Sequence, residues 1–68
     1  MWMRIYELMP YIKGKNDKAV YARLLYWART HKFRSQNIAY KWWIFVPDPA
    51  TLPKDPVPFK QFVSIINK

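Results

Sequence analysis

The apolar period changes once along this chain, and that change restricts the folds open to it. From Lys18 to about Lys32, Val20, Leu24, Trp27 and Ala28 fall on one helical stripe, which Tyr21 and Leu25 widen. From Trp42 the period drops to two. Trp42, Ile44 and Val46 alternate with Trp43 and Phe45, all of them types that suit a pleated strand. The run Phe33 to Ile38 can pair with that strand, which leaves Ala39, Tyr40 and Lys41 near the tip of a hairpin. The pattern predicts an α+β domain in which a helix feeds directly into a two-stranded hairpin.

Upstream, Ile5, Leu8, Met9 and Ile12 fit a short helix, but Pro10 lacks an N–H and collides with the preceding turn. A brief strand over Met1 to Ile5 feeding one or two helical turns is therefore expected. Gly14 suits the cap that ends those turns, and Asn16 or Asp17 suits the N-cap of the main helix. Downstream, Pro47, Pro49, Pro53, Pro56 and Pro58 predict an extended connector over residues 48–58. Phe59, Phe62, Val63 and Ile66 then recur at helical spacing in a tail, residues 59–68, that is too short to hold a helix alone. The tail either folds back on residues 1–47 or becomes ordered on a partner.

A chain of 68 residues makes one domain and buries only about 60% of its unfolded surface. Four Trp, five Tyr and four Phe offset that shortage with large apolar area per residue. With no cysteine there is neither a disulfide framework nor a thiolate metal site, which suits a reducing cytoplasm. The first residues carry Arg4 and Glu7 and lack the apolar core of a signal peptide. The uncharged run Trp42 to Pro47 is far too short to span a bilayer, so no membrane role is expected.

Charge narrows the function. Between Lys13 and Lys41 lie eight basic residues and one acid, Asp17, so this segment supplies +7 of the total +8. Such a field draws polyanions, with affinity supplied by phosphate neutralisation and counterion release. On the helix, the side away from the apolar stripe carries Lys18, Ala19, Ala22, Arg23, Tyr26, Arg29 and Thr30. Small residues let a backbone approach a surface, and arginines reach phosphates or guanine edges. A short helix, a turn with Gly14 and a second helix with a basic outer face follow the helix-turn-helix plan. The hairpin behind it reads as a wing, with Lys32, Tyr40 and Lys41, flanked by Arg34, facing a minor groove or backbone. The expected partner is double-stranded DNA.

The stretch Leu24 to Ala50 resembles the excisionases of phages and integrative elements, also called recombination directionality factors. Trp27-Ala28-Arg29 matches their helix signature and Lys32-Phe33 the helix exit. Trp42 to Val46 matches the return strand, and Asp48-Pro49-Ala50 the closure. These are small winged-helix proteins related to the MerR regulators. The resemblance implies a non-enzymatic, architectural protein that binds adjacent sites cooperatively, bends DNA and helps an integrase excise a mobile element. It also implies that Phe59, Phe62, Val63 and Ile66 touch the integrase or a neighbouring copy. In place of the family's Gly-Arg wing tip stands Tyr40-Lys41-Trp42, with no glycine in the hairpin, which predicts a longer or differently shaped turn. Leu25 and Tyr26 occupy positions where the family often has Arg, so base readout rests on Arg23 and Arg29.

Catalytic chemistry has little to work with. His31 is the only histidine, and Glu7, Asp17, Asp48 and Asp55 are scattered, so neither acid–base pairs nor a metal or cofactor site is expected. Three rivals remain open: a small phage or plasmid transcriptional regulator, a protein-interaction or inhibitor module, and a single-strand binder using Tyr40, Trp42 and Trp43.

Overall fold

Asn16 starts the main helix: its side-chain Oδ1 accepts the Ala19 N–H at 2.8 Å, as an N-cap must. In the computed structural model, which describes residues 1–67, that helix is α2, Asp17–Arg29. It ends at Thr30 in a Schellman motif. The His31 N–H bonds the Ala28 carbonyl at 3.1 Å and the Lys32 N–H bonds that of Trp27 at 3.0 Å. The residue that normally makes this left-handed step is glycine; here His31 takes it, with φ of 55°. The helix ends three residues earlier than its periodicity predicts, because Lys32 already belongs to the cap.

The chain before α2 runs through β1 (Trp2–Arg4) and a single helical turn, α1 (Ile5–Leu8). Pro10 tightens Met9–Tyr11 into a 3-10 turn, after which β2 (Ile12–Lys13) follows. Gly14 caps no helix and has no positive φ, contrary to expectation. Its value lies in space: a Cβ there would collide with Cγ2 of Val20 on the first turn of α2.

After α2 come β3 (Ser35–Ile38) and β4 (Lys41–Phe45), antiparallel, with Ile38 opposite Lys41. β1 joins the free side of β4, pairing Trp2 with Phe45 and Arg4 with Trp43, so the sheet has three strands in the order β1-β4-β3. The hairpin loop is only Ala39-Tyr40, both with positive φ (52° and 65°). That is the signature of a type I′ turn. The sequence predicts a longer or reshaped turn for want of glycine; the chain instead makes the tightest one and accepts two strained residues. Left-handed backbone costs an ordinary residue about 1–2 kcal/mol, and glycine's larger unfolded entropy returns part of it. Replacing Ala39-Tyr40 with Asn-Gly is therefore expected to stabilise the domain by about 1 kcal/mol, raising Tm by roughly 4–8 °C. A calorimetric scan showing no gain would argue against the turn.

The proline-rich segment is not free of structure. Asp48 caps a 3-10 turn over Pro49–Thr51 through its Oδ1, and β5 (Val57–Pro58) pairs in parallel with β2. Pro58 leads into α3 (Phe59–Ile66). Phe59, Phe62 and Ile66 are buried, so the tail docks on its own domain. The alternative, an apolar stripe held out to an integrase or a second copy, does not apply to those three side chains; Val63 is half-buried against the same cluster. The outcome is a small mixed α+β domain of three helices and two small sheets.

The core gathers Met3, Ile5, Leu8 and Ile12 with Val20, Leu24 and Ala28 of α2, Ile44 and Val46 of the sheet, and the three buried residues of α3. Phe33, in the short link between α2 and β3, sits at its centre. Its ring lies 5.3 Å from Trp27, 6.2 Å from Phe59 and 6.3 Å from Phe62. No polar side chain is buried among the described residues.

Candidate nucleic-acid interface

Burying Val20, Leu24 and Ala28 fixes which side of α2 turns outward. Lys18, Ala19, Ala22, Arg23, Tyr26, Arg29 and Thr30, the side chains assigned to that face from the sequence, are all exposed. Tyr21, expected to widen the buried stripe, is exposed too.

Exposure does not make these groups equivalent. Arg23 lies over the Phe59 ring, with its guanidinium carbon 5.2 Å from the centroid. It borders a hollow of about 300 Å³ that Lys13, Gly14 and Lys15 also line. The Thr30 hydroxyl is occupied, donating to the Tyr26 carbonyl at 2.8 Å. Lys32 reaches back over Tyr26 and Trp27, its ammonium 5.5 Å and 5.1 Å from the two ring centres. Neither Lys18 nor Arg29 lies over a ring.

The hairpin residues separate into two groups. Tyr40 stands at the tip, 99% exposed, next to exposed Lys41. Arg34 does not flank them. Its carbonyl accepts the Phe45 N–H at 2.8 Å, at the open end of the hairpin. The four residues of β3 therefore separate Arg34 from the turn, a span of about 13 Å. The two neighbouring tryptophans part as strand alternation requires. Trp42 points inward, packed on the core and 6.1 Å from the His31 ring. Trp43 points outward, under the Arg4 guanidinium at 5.6 Å.

Trp2, to which the sequence pattern gave no role, joins Trp43 on that outer side together with Phe45 and Arg34. Trp2 meets Phe45 edge-to-face at 5.2 Å, and Arg34 covers Phe45 at 4.7 Å. The alternation of residues 2, 4, 43 and 45 becomes one face only through the pairing of β1 with β4.

His31 contacts Ser35, with Nδ1 and Oγ 3.3 Å apart, while the Ser35 hydroxyl donates to the Ala28 carbonyl at 2.7 Å. This contact trims the helix end and assembles no catalytic group. Among the described residues no three His, Asp or Glu side chains gather to hold a metal ion, and no helix is long and apolar enough to cross a membrane. Comparison with protein-family models, with curated proteins and with solved structures gives no match to this chain.

Proposed function

We propose that this chain is a small winged-helix DNA-binding protein that lays α2 in a major groove and uses the β3–β4 hairpin as its wing. One observation carries the reading. The outer face of α2 is exposed and pairs two small residues, Ala19 and Ala22, with Arg29 and with Arg23, which rests on the Phe59 ring, beside a hairpin whose tip is solvated. Ala19 and Ala22 permit close approach of the helix backbone; the arginines meet base edges or phosphates. Lys13 and Lys15 line a hollow beside Ala19 and Val20 of the first turn of α2, and Lys18 lies in that turn, so three cations outnumber its one acid, Asp17. Tyr40 and Lys41 at the turn are placed to touch the flanking backbone.

A charge of +8 on a single small domain gives affinity without catalysis. The biological task consistent with the resemblance of Leu24 to Ala50 is architectural: bending attachment-site DNA so that an integrase excises a mobile element. Cooperation between adjacent copies would involve surfaces other than the buried Phe59, Phe62 and Ile66.

Arg29→Ala is expected to weaken specific duplex binding by about 1–3 kcal/mol and to lower the salt slope if the contact is to phosphate. Arg23→Ala should cost less, because Arg23 gives up a contact with the Phe59 ring worth about 0.5–1 kcal/mol when it turns to DNA. Electrophoretic titrations at several salt concentrations measure both. Duplex affinity unchanged in the Arg29 variant removes α2 as the recognition element. A recombination assay with the cognate integrase, run beside a promoter reporter, separates excision from repression.

A further inference from the structure

The three-stranded sheet is covered on one face only. Met3 and Ile44 point into the core, whereas Trp2, Trp43 and Phe45 are half-buried and lie outside the core cluster. Their neighbours across the strands are set by register. One row reads Arg4, Trp43, Gln36; the next reads Trp2, Phe45, with Arg34 beside Phe45. Each row thus has an aromatic ring on β4 and a guanidinium against it, Arg4 on Trp43 and Arg34 on Phe45. The arrangement repeats after two residues.

We infer that this outer face is a second nucleic-acid site, a stacking platform for about two nucleotides of single-stranded DNA or RNA, separate from the outer face of α2. Spacing selects the single strand. Trp43 and Phe45 are two strand residues apart, about 6.8 Å, whereas successive bases in a duplex are only about 3.4 Å apart. Adjacent bases can occupy both rings only if the strand is extended and unstacked and if the exposed, flexible Arg34 and the Arg4 side chain swing off the rings they now cover to meet the phosphates. Base faces stack on aromatic rings whatever the sequence, and guanidinium planes stack on bases or meet phosphates. The Gln36 amide, next to Trp43 in register, supplies a donor and an acceptor for a base edge.

Charge selects the class of partner. β1, β3 and β4 carry Arg4 and Lys41, with Arg34 one residue before β3, and no carboxylate. Glu7, the nearest acid in sequence to Arg4, uses its Oε1 on the Arg4 N–H at 3.0 Å. A second copy of this chain would set cations against cations across such a face, and an apolar protein partner would have to bury three of them. A polyanion with exposed rings satisfies both halves of the surface. The reading regroups residues that the sequence suggested for stacking. Trp43 stays, Trp42 turns inward, Tyr40 stands apart at the turn, and Trp2 and Phe45 enter.

The test is fluorescence anisotropy with labelled dT12, U12 and a 12-base-pair duplex, at fixed low salt, on the full chain and its variants. Wild type is expected to bind dT12 and U12, and Trp43→Ala to weaken that binding about tenfold or more, the loss of one base–aromatic stack. Trp43→Phe keeps a ring and should retain most of the affinity, and duplex binding retained by Trp43→Ala separates the loss of a stack from a folding defect. Arg29→Ala should leave the single-strand probes unaffected while weakening the duplex. No binding of either single strand, or equal binding by Trp43→Ala and wild type, overturns the platform. Equal losses for single strand and duplex in Trp43→Ala overturn it in favour of a duplex contact. A wild-type dimer in sedimentation that Trp43→Ala dissolves overturns it in favour of an interface between copies. Failure of the Arg29 arm alone counts against the α2 reading and leaves the sheet site standing.

Discussion

Deleting residues 59–68 is expected to leave a chain that does not fold. α3 contributes Phe59, Phe62 and Ile66 to the core, all buried. Burial of such side chains is worth roughly 1.5–3 kcal/mol each, or about 5–9 kcal/mol for three. A domain of this length is stabilised by only about 3–10 kcal/mol in total. The segment also carries the Asn67 amide that donates to the Lys32 carbonyl at 3.1 Å, holding the end of α2. Thermal denaturation followed by circular dichroism should show a cooperative transition in the full chain and none in the truncated one. A truncated chain that melts cooperatively would mean that the tail is an appendage after all.

Phe33→Ala should be the most damaging single substitution in the link between α2 and the hairpin, at about 3–5 kcal/mol. Phe33 belongs to no helix or strand, yet it is 1% exposed and its ring touches those of Trp27, Phe59 and Phe62. Removing it opens a cavity where α2 and α3 meet the sheet, and the surrounding rings cannot collapse into it without leaving their own positions. Phe33→Leu, which keeps most of the volume, should cost less than about half as much. Urea titrations of the two variants decide it. Equal losses would point to the aromatic edge contacts rather than the filled space.

The helix α2, the inward side of β4 and the hairpin after α2 were legible in the sequence, because each rests on a local period that burial then enforces. Val20, Leu24 and Ala28 lie where a 3.6-residue repeat puts them, and Ile44 and Val46 where a two-residue repeat does. What was not legible depends on partners distant in the chain. β1 owes its place to pairing with β4, 39 to 43 residues later, and β5 to pairing with β2. Nothing local in Val57-Pro58 announces a strand. The outward face of the sheet was hidden for the same reason, since Trp2 and Phe45 become neighbours only through that pairing. Turn chemistry misled in a different way. Ala39-Tyr40 carries no glycine, so propensity argued against a type I′ turn that register demands. The arginines show a third limit: helical position places Arg23 correctly on the surface, but only packing against α3 draws it onto Phe59.

The parallel pairing of β2 with β5 has a consequence for how the molecule is made. A nascent chain emerges from its N-terminal side, so Ile12 waits for Val57 and Phe33 for Phe62. At 5–20 residues per second, the 20 residues between Val46 and Ile66 take about 1–4 s to translate. For that interval the segments that become the hairpin and α2 lack the helix that completes their core. Leu24, Phe33 and Ile44, all sealed in the finished domain, cannot be sealed until that last helix has been made.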